Sequence, residues 1–423
     1  MGTFHFAELD LHAPSGKTLL AAVATKYGNS VTDAADVAER YFFMRSGWAP
    51  GLCFVGGQAH PKQVDLKYAD IPAFSLAGAG EEPEMAFMAC VGEAVERLSQ
   101  LEQPDDVCCT SSSAEVRDRL PHGLLDHLSD THVETGFDES APLDWIEGRS
   151  LIDSLPVLVP ADWCLRRATG ASKLKPRSAL STGAAAGPTL EVATERALLE
   201  LVERDAVSLW WRGGRRSRPL PMEVPAFAKG VELVQLLRQN RTDRASWLLD
   251  LTTDIAIPSI AAISFERSGQ GFACGFAARV NLEDAVCAAV IEMMQMELGL
   301  LLARAKRTRL GEQALSDVDR RHLQRAMAIR SETCDIVHPM GTPAIISEPP
   351  NDPPVALLKA AFAEAGISAS VVDLTRRSFG MPVAFAFAPA LQPMPSSLLT
   401  PRLRSILSAP GFDVRKIPDT SLF

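Results

Sequence analysis

One pattern is written more than once in this chain of 423 residues, and it constrains the fold more than any composition figure. Residues 80–97 lie over residues 187–204 with Gly80 on Gly187, Glu84 on Glu191, Ala86 on Ala193, Glu93 on Glu200, Val95 on Val202, Glu96 on Glu203 and Arg97 on Arg204. A fainter third copy puts Glu283 on Glu84, Ala285 on Ala86, Glu292 on Glu93 and Gln295 on Glu96, with Met296 where the arginine stood. Each copy begins as a helix begins, with Pro83, Thr189 or Asn281 as the start signal and an acid one or two residues later, where the helix dipole favours it.

The acids fall into two sets. Nine residues at about 100° each make two and a half turns, so Glu84, Glu191 and Glu283 point away from Glu93, Glu200 and Glu292. The first set reads as helix-start residues. The second set, Glu93, Glu96, Glu200, Glu203, Glu292 and Gln295, carries five carboxylates on largely apolar helices, and carboxylates so close repel unless a cation neutralises them. Magnesium takes oxygen ligands and is usually held by carboxylates together with substrate phosphates, so a magnesium-nucleotide site built from three helices is the reading. A salt-bridged surface helix is the competing one for any single copy.

With these residues in view, the chain resembles the YcaO-domain family. The resemblance is carried by Glu93-Ala-Val-Glu96-Arg97, by Ser181-Thr-Gly183-Ala-Ala-Ala-Gly187 followed by Glu200-Leu-Val-Glu203-Arg204-Asp205-Ala206, by Glu292 with Gln295, and by Asp373-Leu-Thr375 with Gly380-Met-Pro-Val383. It spans about residues 70 to 395. It implies an ATP- and Mg2+-dependent enzyme that phosphorylates a backbone amide oxygen of a ribosomally made precursor peptide. A neighbouring Cys, Ser or Thr, or an external nucleophile, then replaces that oxygen, giving an azoline, a thioamide or an amidine. Under this resemblance Glu93, Glu96, Glu200, Glu203 and Glu292 hold magnesium, and Ser181, Gly183, Gly187, Arg97, Arg177, Glu200, Arg204 and Gln295 hold ATP. A partner protein for leader binding or nucleophile delivery and a homodimer are implied as well. Two positions depart from the family: Cys90 stands where a serine is usual, and Gly78-Ala79-Gly80 where Gly-Lys-Gly is usual. A degenerate, non-catalytic peptide-binding relative and an ATP-dependent ligase for a small molecule are the rival readings.

The rest of the chain bounds this picture. With 42 basic and 52 acidic residues, net charge −10 and pI about 5.4, a nucleic-acid surface is not the main partner. The run Arg212-Gly-Gly-Arg215-Arg216-Ser-Arg218 reads as a solvated loop, with an acidic leader groove as the lesser alternative. Eight cysteines without a Cys-x-x-Cys pair give neither a zinc ribbon nor a disulfide scaffold. His122, His127 and His132, five apart, share no helical face and read as surface histidines. No P-loop, Gly-x-Ser-x-Gly or His-Glu-x-x-His occurs. No basic signal region and no apolar run of membrane length are seen, so the chain reads as cytoplasmic.

Strands and helices interleave throughout, which predicts a mixed-sheet α/β (α+β) fold with a pseudo-symmetric internal repeat and a non-P-loop nucleotide site between helices. The expected division is an N-terminal region 1–65, a catalytic domain 66–395 and a proline-containing tail 396–423. Val31 to Phe43 reads as one helix, Leu155 to Pro160 as a buried strand. Lys173, Lys175 and Arg177 read as surface positions or phosphate contacts, with Arg177 the strongest.

Overall fold

The computed structural model describes residues 3–131, 137–175, 178–343, 351–409, 418 and 420–422. Arg177 and His132 lie outside them.

Each copy of the repeated pattern is a strand that turns into a helix. Strand Phe74–Gly80 leads to the first acidic helix, Pro83–Ser99; Ala184–Ala186 leads to the second, Leu190–Trp211; Ala273–Ala278 leads to the third, Leu282–Leu310. The start signals act as expected. Pro83 occupies the first turn, where its missing N–H costs no bond. The Thr189 side chain accepts from the Val192 N–H at 3.2 Å, and Asn281 accepts from Glu283 and Asp284 at 2.8 and 3.2 Å. Glu84, Glu191 and Glu283 sit in the first turns, on the dipole's positive end.

Three antiparallel sheets separate the three helices. One has four strands, in the order Phe4–Leu9, Arg40–Ser46, Cys53–Ala59, Phe74–Gly80. Another has three, Ala273–Ala278, Ser259–Glu266, Arg244–Asp250. The largest runs Cys109–Ser112, Pro142–Ser150, Ser370–Asp373, Val383–Phe387, Ala184–Ala186, with Pro156–Pro160 added beside Pro142–Ser150.

Period-two alternation shows what lies on each face. In the largest sheet Val383, Phe385 and Phe387 join Phe87, Val91 and Val95 of the first helix, while Ala384 and Ala386 join Ala193, Leu198 and Leu201 of the second. In the three-stranded sheet Ala261, Ile263 and Phe265 meet Trp210 and Trp211 of the second helix, while Ile260 and Ala262 meet Val286, Val290 and Met294 of the third. In the four-stranded sheet Cys53 and Val55 face the first helix, and Leu52 and Phe54 face the third. Helices and sheets therefore alternate in cyclic order, so that the central strands of each sheet are covered on both faces and the three acid-bearing faces are drawn to one place. Two glycines permit the close packing. A Cβ on Gly78 would lie 2.1 Å from the Ala86 carbonyl oxygen, and one on Gly275 would lie 2.1 Å from the Met293 nitrogen.

Four expectations change. Val31–Phe43 is a short helix, Asn29–Asp33, a single turn, Ala35–Val37, and the strand Arg40–Ser46; Tyr41, Phe42 and Phe43 are strand formers, and sheet pairing overrides the helical spacing. The Arg212–Arg218 run is not a solvated loop. Arg212 donates to the Ser396 carbonyl at 2.8 Å, Arg215 to those of Leu251 and Thr252 at 2.8 and 2.7 Å, and Arg218 pairs with Asp250 at 2.8 Å. His127 is buried edge-on to Trp163, with ring centroids 5.4 Å apart, whereas His122 is exposed. The third acidic helix does contain an 18-residue window of mean hydropathy 1.7, long and apolar enough to cross a membrane; 56% of that window is buried inside the protein, between two sheets. Strands on both sides of position 65 pair in one sheet.

Candidate functional site

The helices converge through their second set of acids, and each copy's first glutamate is fixed by its own leading segment. Glu93 accepts the Ala77 backbone N–H at 2.6 Å, Glu200 that of Gly183 at 3.1 Å, and Glu292 that of Phe276 at 2.8 Å. An arginine one turn later braces two of them. Arg97 pairs with Glu93, and Arg204 lies 3.3 Å from Glu200 and 3.8 Å from Glu203.

These contacts do not neutralise the cluster. The Glu96 carboxyl is pushed well above its ordinary range by burial and by the charges of Glu200 and Glu93, against the pull of Arg97 and Arg166. Glu200 and Glu203 are raised for the same first reason, with Arg204 opposing. Glu292 is pushed up to about 7 by burial and by Glu203. Arg204, although buried, is held more firmly protonated by Glu203, Glu200 and Glu292. The acids thus form one chain of neighbours, Glu93 to Glu96, Glu96 to Glu200, Glu200 to Glu203 and Glu203 to Glu292, with Arg204 beside the last three.

A carboxyl that is harder to ionise in the folded chain than in the unfolded one gives stability at low pH and withdraws it as pH rises. For Glu292 that window runs from the ordinary 4.5 to about 7. The expected result is a metal-free melting temperature that falls across this window, and a Glu292→Gln variant that falls less. Scanning calorimetry at a series of pH values, with chelator present, checks it; parallel curves for the two proteins would refute it.

Among the described residues no three His, Cys, Asp or Glu side chains close into a ready metal cage. Magnesium bound to a nucleotide takes one or two protein carboxylates and completes its shell with phosphate oxygens and water. The donor set fits the group: hard oxygen ligands whose mutual repulsion a divalent cation would relieve.

The other expected residues fall out as follows. Gln295 is half-buried, three residues beyond Glu292 on the third helix. Ser181 is partly open, and its carbonyl accepts the Ala184 N–H at 3.1 Å. Gly183 has φ +88 and a Cβ there would strike the Ala386 carbonyl at 2.5 Å; its N–H serves Glu200, while the Gly187 N–H bonds the Pro382 carbonyl at 3.0 Å. Both amides are engaged within the protein; the space at Gly183 is taken by strand Val383–Phe387, and that at Gly187 by the first turn of helix Leu190–Trp211, where a Cβ would lie 2.7 Å from the Ala193 nitrogen. Lys173 pairs with Asp144 at 2.8 Å and Lys175 is exposed. Cys90 is fully buried, and burial raises its thiol.

Three arginines were not anticipated. Arg166 lies beside Arg97 and Glu96, its pKa brought down to about 10 by burial and by Arg97. Arg196 donates to the Ala186 carbonyl at 2.9 Å and adjoins Arg279, which in turn faces Glu203 and Glu292. Arg196 was readable, since it precedes Glu200 by one turn as Arg204 follows it. Arg166 and Arg279 carry no such spacing signal.

An uncharacterized protein from the tfuA 3′ region of Rhizobium leguminosarum bv. trifolii is 30% identical over 191 residues, 44% of each chain. A heterocyclase solved in complex with substrate and cofactor has a similar fold, with TM-score 0.71 and 22% identity over 95% of this chain and 57% of that one. YcaO from Methanopyrus kandleri bound with AMPPCP and Mg2+ is similar at TM-score 0.56 and 20% identity, over 89% of this chain and 91% of that one. The chain spans about half the length of the curated relatives it matches. The family described as YcaO cyclodehydratase, ATP- and Mg2+-binding, matches residues 77–392, which include the three acidic helices up to their ends, and the chain belongs to that family.

Proposed function

We propose that the chain uses ATP and magnesium to activate a backbone amide of a ribosomally made precursor peptide. The observation that carries this reading is the set of five glutamates, Glu93, Glu96, Glu200, Glu203 and Glu292, gathered from three helices, four of which, Glu96, Glu200, Glu203 and Glu292, are held above the ordinary carboxyl range by burial. Magnesium and the nucleotide supply a transferable phosphoryl group and charge neutralisation when bound. Glu93, Glu96, Glu200, Glu203 and Glu292 would hold the cation-phosphate unit; Arg97 and Arg204 orient those acids, and Arg166 adds positive charge next to Glu96. The protein's contribution is then mainly positioning and neutralisation of charge on the transferring group.

In chemical terms the γ-phosphoryl group passes to the amide oxygen and ADP leaves. A nucleophile attacks the amide carbon, and phosphate departs with that oxygen. A Cys, Ser or Thr side chain of the peptide gives an azoline; an external sulfur gives a thioamide, and a nitrogen an amidine. The heterocyclase likeness supports the ring-forming outcome as the first to test. A partner protein that brings the leader or the nucleophile, and a homodimer, belong to the same proposal.

The test is to incubate the chain with magnesium-ATP and a Cys-containing peptide, reading ADP and phosphate together with the peptide's mass. Peptide-dependent ADP release with loss of one water supports azoline formation, and exchange of oxygen for sulfur on adding sulfide supports thioamide formation. Nucleotide binding without turnover for any peptide would favour the non-catalytic reading, and turnover without peptide the small-molecule ligase.

A further inference from the structure

The third acidic helix runs on past the site, and its last turns border a cleft that the chemistry above leaves unused. The cleft, of about 410 Å³, is lined by Thr3 and Phe4 at the start of strand Phe4–Leu9 and by Leu301, Arg304, Arg307 and Arg309 of the helix. Among the described residues that strand pairs on one side only, with Arg40–Ser46. Its outer row of backbone N–H and C=O groups is a template for another strand. His5, Phe6 and Glu8 are exposed along it, and Phe6 stacks on Phe42 with centroids 5.0 Å apart.

Charge distinguishes the two ends of this edge. Arg304 is held by Glu266 and lies over the Trp48 ring. Among the described residues Arg307 pairs with the exposed Glu312, at 3.9 Å, and Arg309 is exposed. In a chain of net charge −10 the Phe4 end is a local cationic rim, while Glu8 and Asp10 make the other end acidic.

Resting on the reading that the substrate is a peptide, we propose that an acidic, extended segment of that peptide, away from the reacting amide, adds to strand Phe4–Leu9 as a fifth strand and sets its carboxylates against Arg307 and Arg309. Main-chain bonds along the edge supply affinity, and the arginines supply sign and direction. Arg307 lies about 22 Å along the helix from Glu292, at 1.5 Å per residue. About seven extended residues span that length, so the anchored segment and the modified residue are separated by at least such a stretch.

Fluorescence anisotropy on the full chain tests this with two labelled octapeptides of alternating Glu and Val, one with free backbone N–H groups and one N-methylated at alternate nitrogens. The expected result is saturable binding of the first, weakened at least about tenfold by N-methylation and by the Arg307→Glu/Arg309→Glu double variant. Calorimetric binding of magnesium-ATP by that variant stays at the parent value, which shows that it is folded. Equal binding of both peptides, or equal binding by parent and variant, would overturn the proposal. So would concentration-dependent self-association through this edge that the free peptide does not compete with. Failure of the parent to bind nucleotide would strike the functional reading instead, because the peptide titration needs no ATP.

Discussion

Glu203→Gln is expected to lose magnesium-ATP binding by at least about a hundredfold, roughly 2.7 kcal/mol, while the chain melts no lower than the parent. Both halves follow from the same contacts. Glu203 is buried beside Glu292, and its carboxyl is raised by that burial even with Arg204 and Arg279 nearby. The metal-free fold therefore holds the charged form of this group poorly, and an amide of the same shape relieves the repulsion with Glu292. Binding is lost because the amide is a neutral, weaker oxygen donor to a hard cation. Loss of binding with a lowered melting temperature would indicate a structural role for Glu203.

Glu297→Ala is expected to do the reverse, costing about 3–5 kcal/mol of stability in urea unfolding while nucleotide affinity of the folded chain is kept. Glu297 lies five residues beyond Glu292, which turns it about 140° away from the acids of the site. It is fully buried, 2.8 Å from Arg238 and 3.0 Å from Arg244, and accepts from Ser264 at 2.6 Å. Burial alone would raise its carboxyl; Arg244, Arg238 and the hydrogen bonds more than reverse that, and it is lowered from 4.5. Its contribution is thus present above the ordinary 4.5 and is lost as pH falls below that toward the lowered folded value. Removing it takes the buried counter-charge from Arg238 and leaves Arg244 with Glu266 at 3.8 Å, although Arg238 still donates to Trp48 and Ser246 and Arg244 to Gly271. A loss below about 1 kcal/mol would mean that these remaining bonds suffice.

The contrast between the two glutamates also shows what a sequence can and cannot disclose. Helix starts and the acid faces were legible, because capping chemistry and the 3.6-residue period are local: Thr189, Asn281 and the Glu93/Glu200/Glu292 positions fell where spacing placed them. The cyclic alternation of helices and sheets was not, since it depends on which strands pair over long separations. Tyr41-Phe42-Phe43 went to a strand for that reason. The arginines of the Arg212–Arg218 run found backbone carbonyls, acceptors that no residue type announces. Gly183 packs against strand Val383–Phe387 and Gly187 against the first turn of helix Leu190–Trp211, and both amides bond within the protein. Arg166 and Arg279 reach the acids from segments whose sequence carries no trace of that proximity.

The central claim is that the three acidic faces form one magnesium-nucleotide site. Calorimetric titration of the purified chain with AMPPCP and magnesium, beside Glu203→Gln, tests it most directly. The account predicts saturable, magnesium-dependent binding at one site, absent from the variant. Binding of equal strength in both proteins, or binding that persists without magnesium, would contradict it.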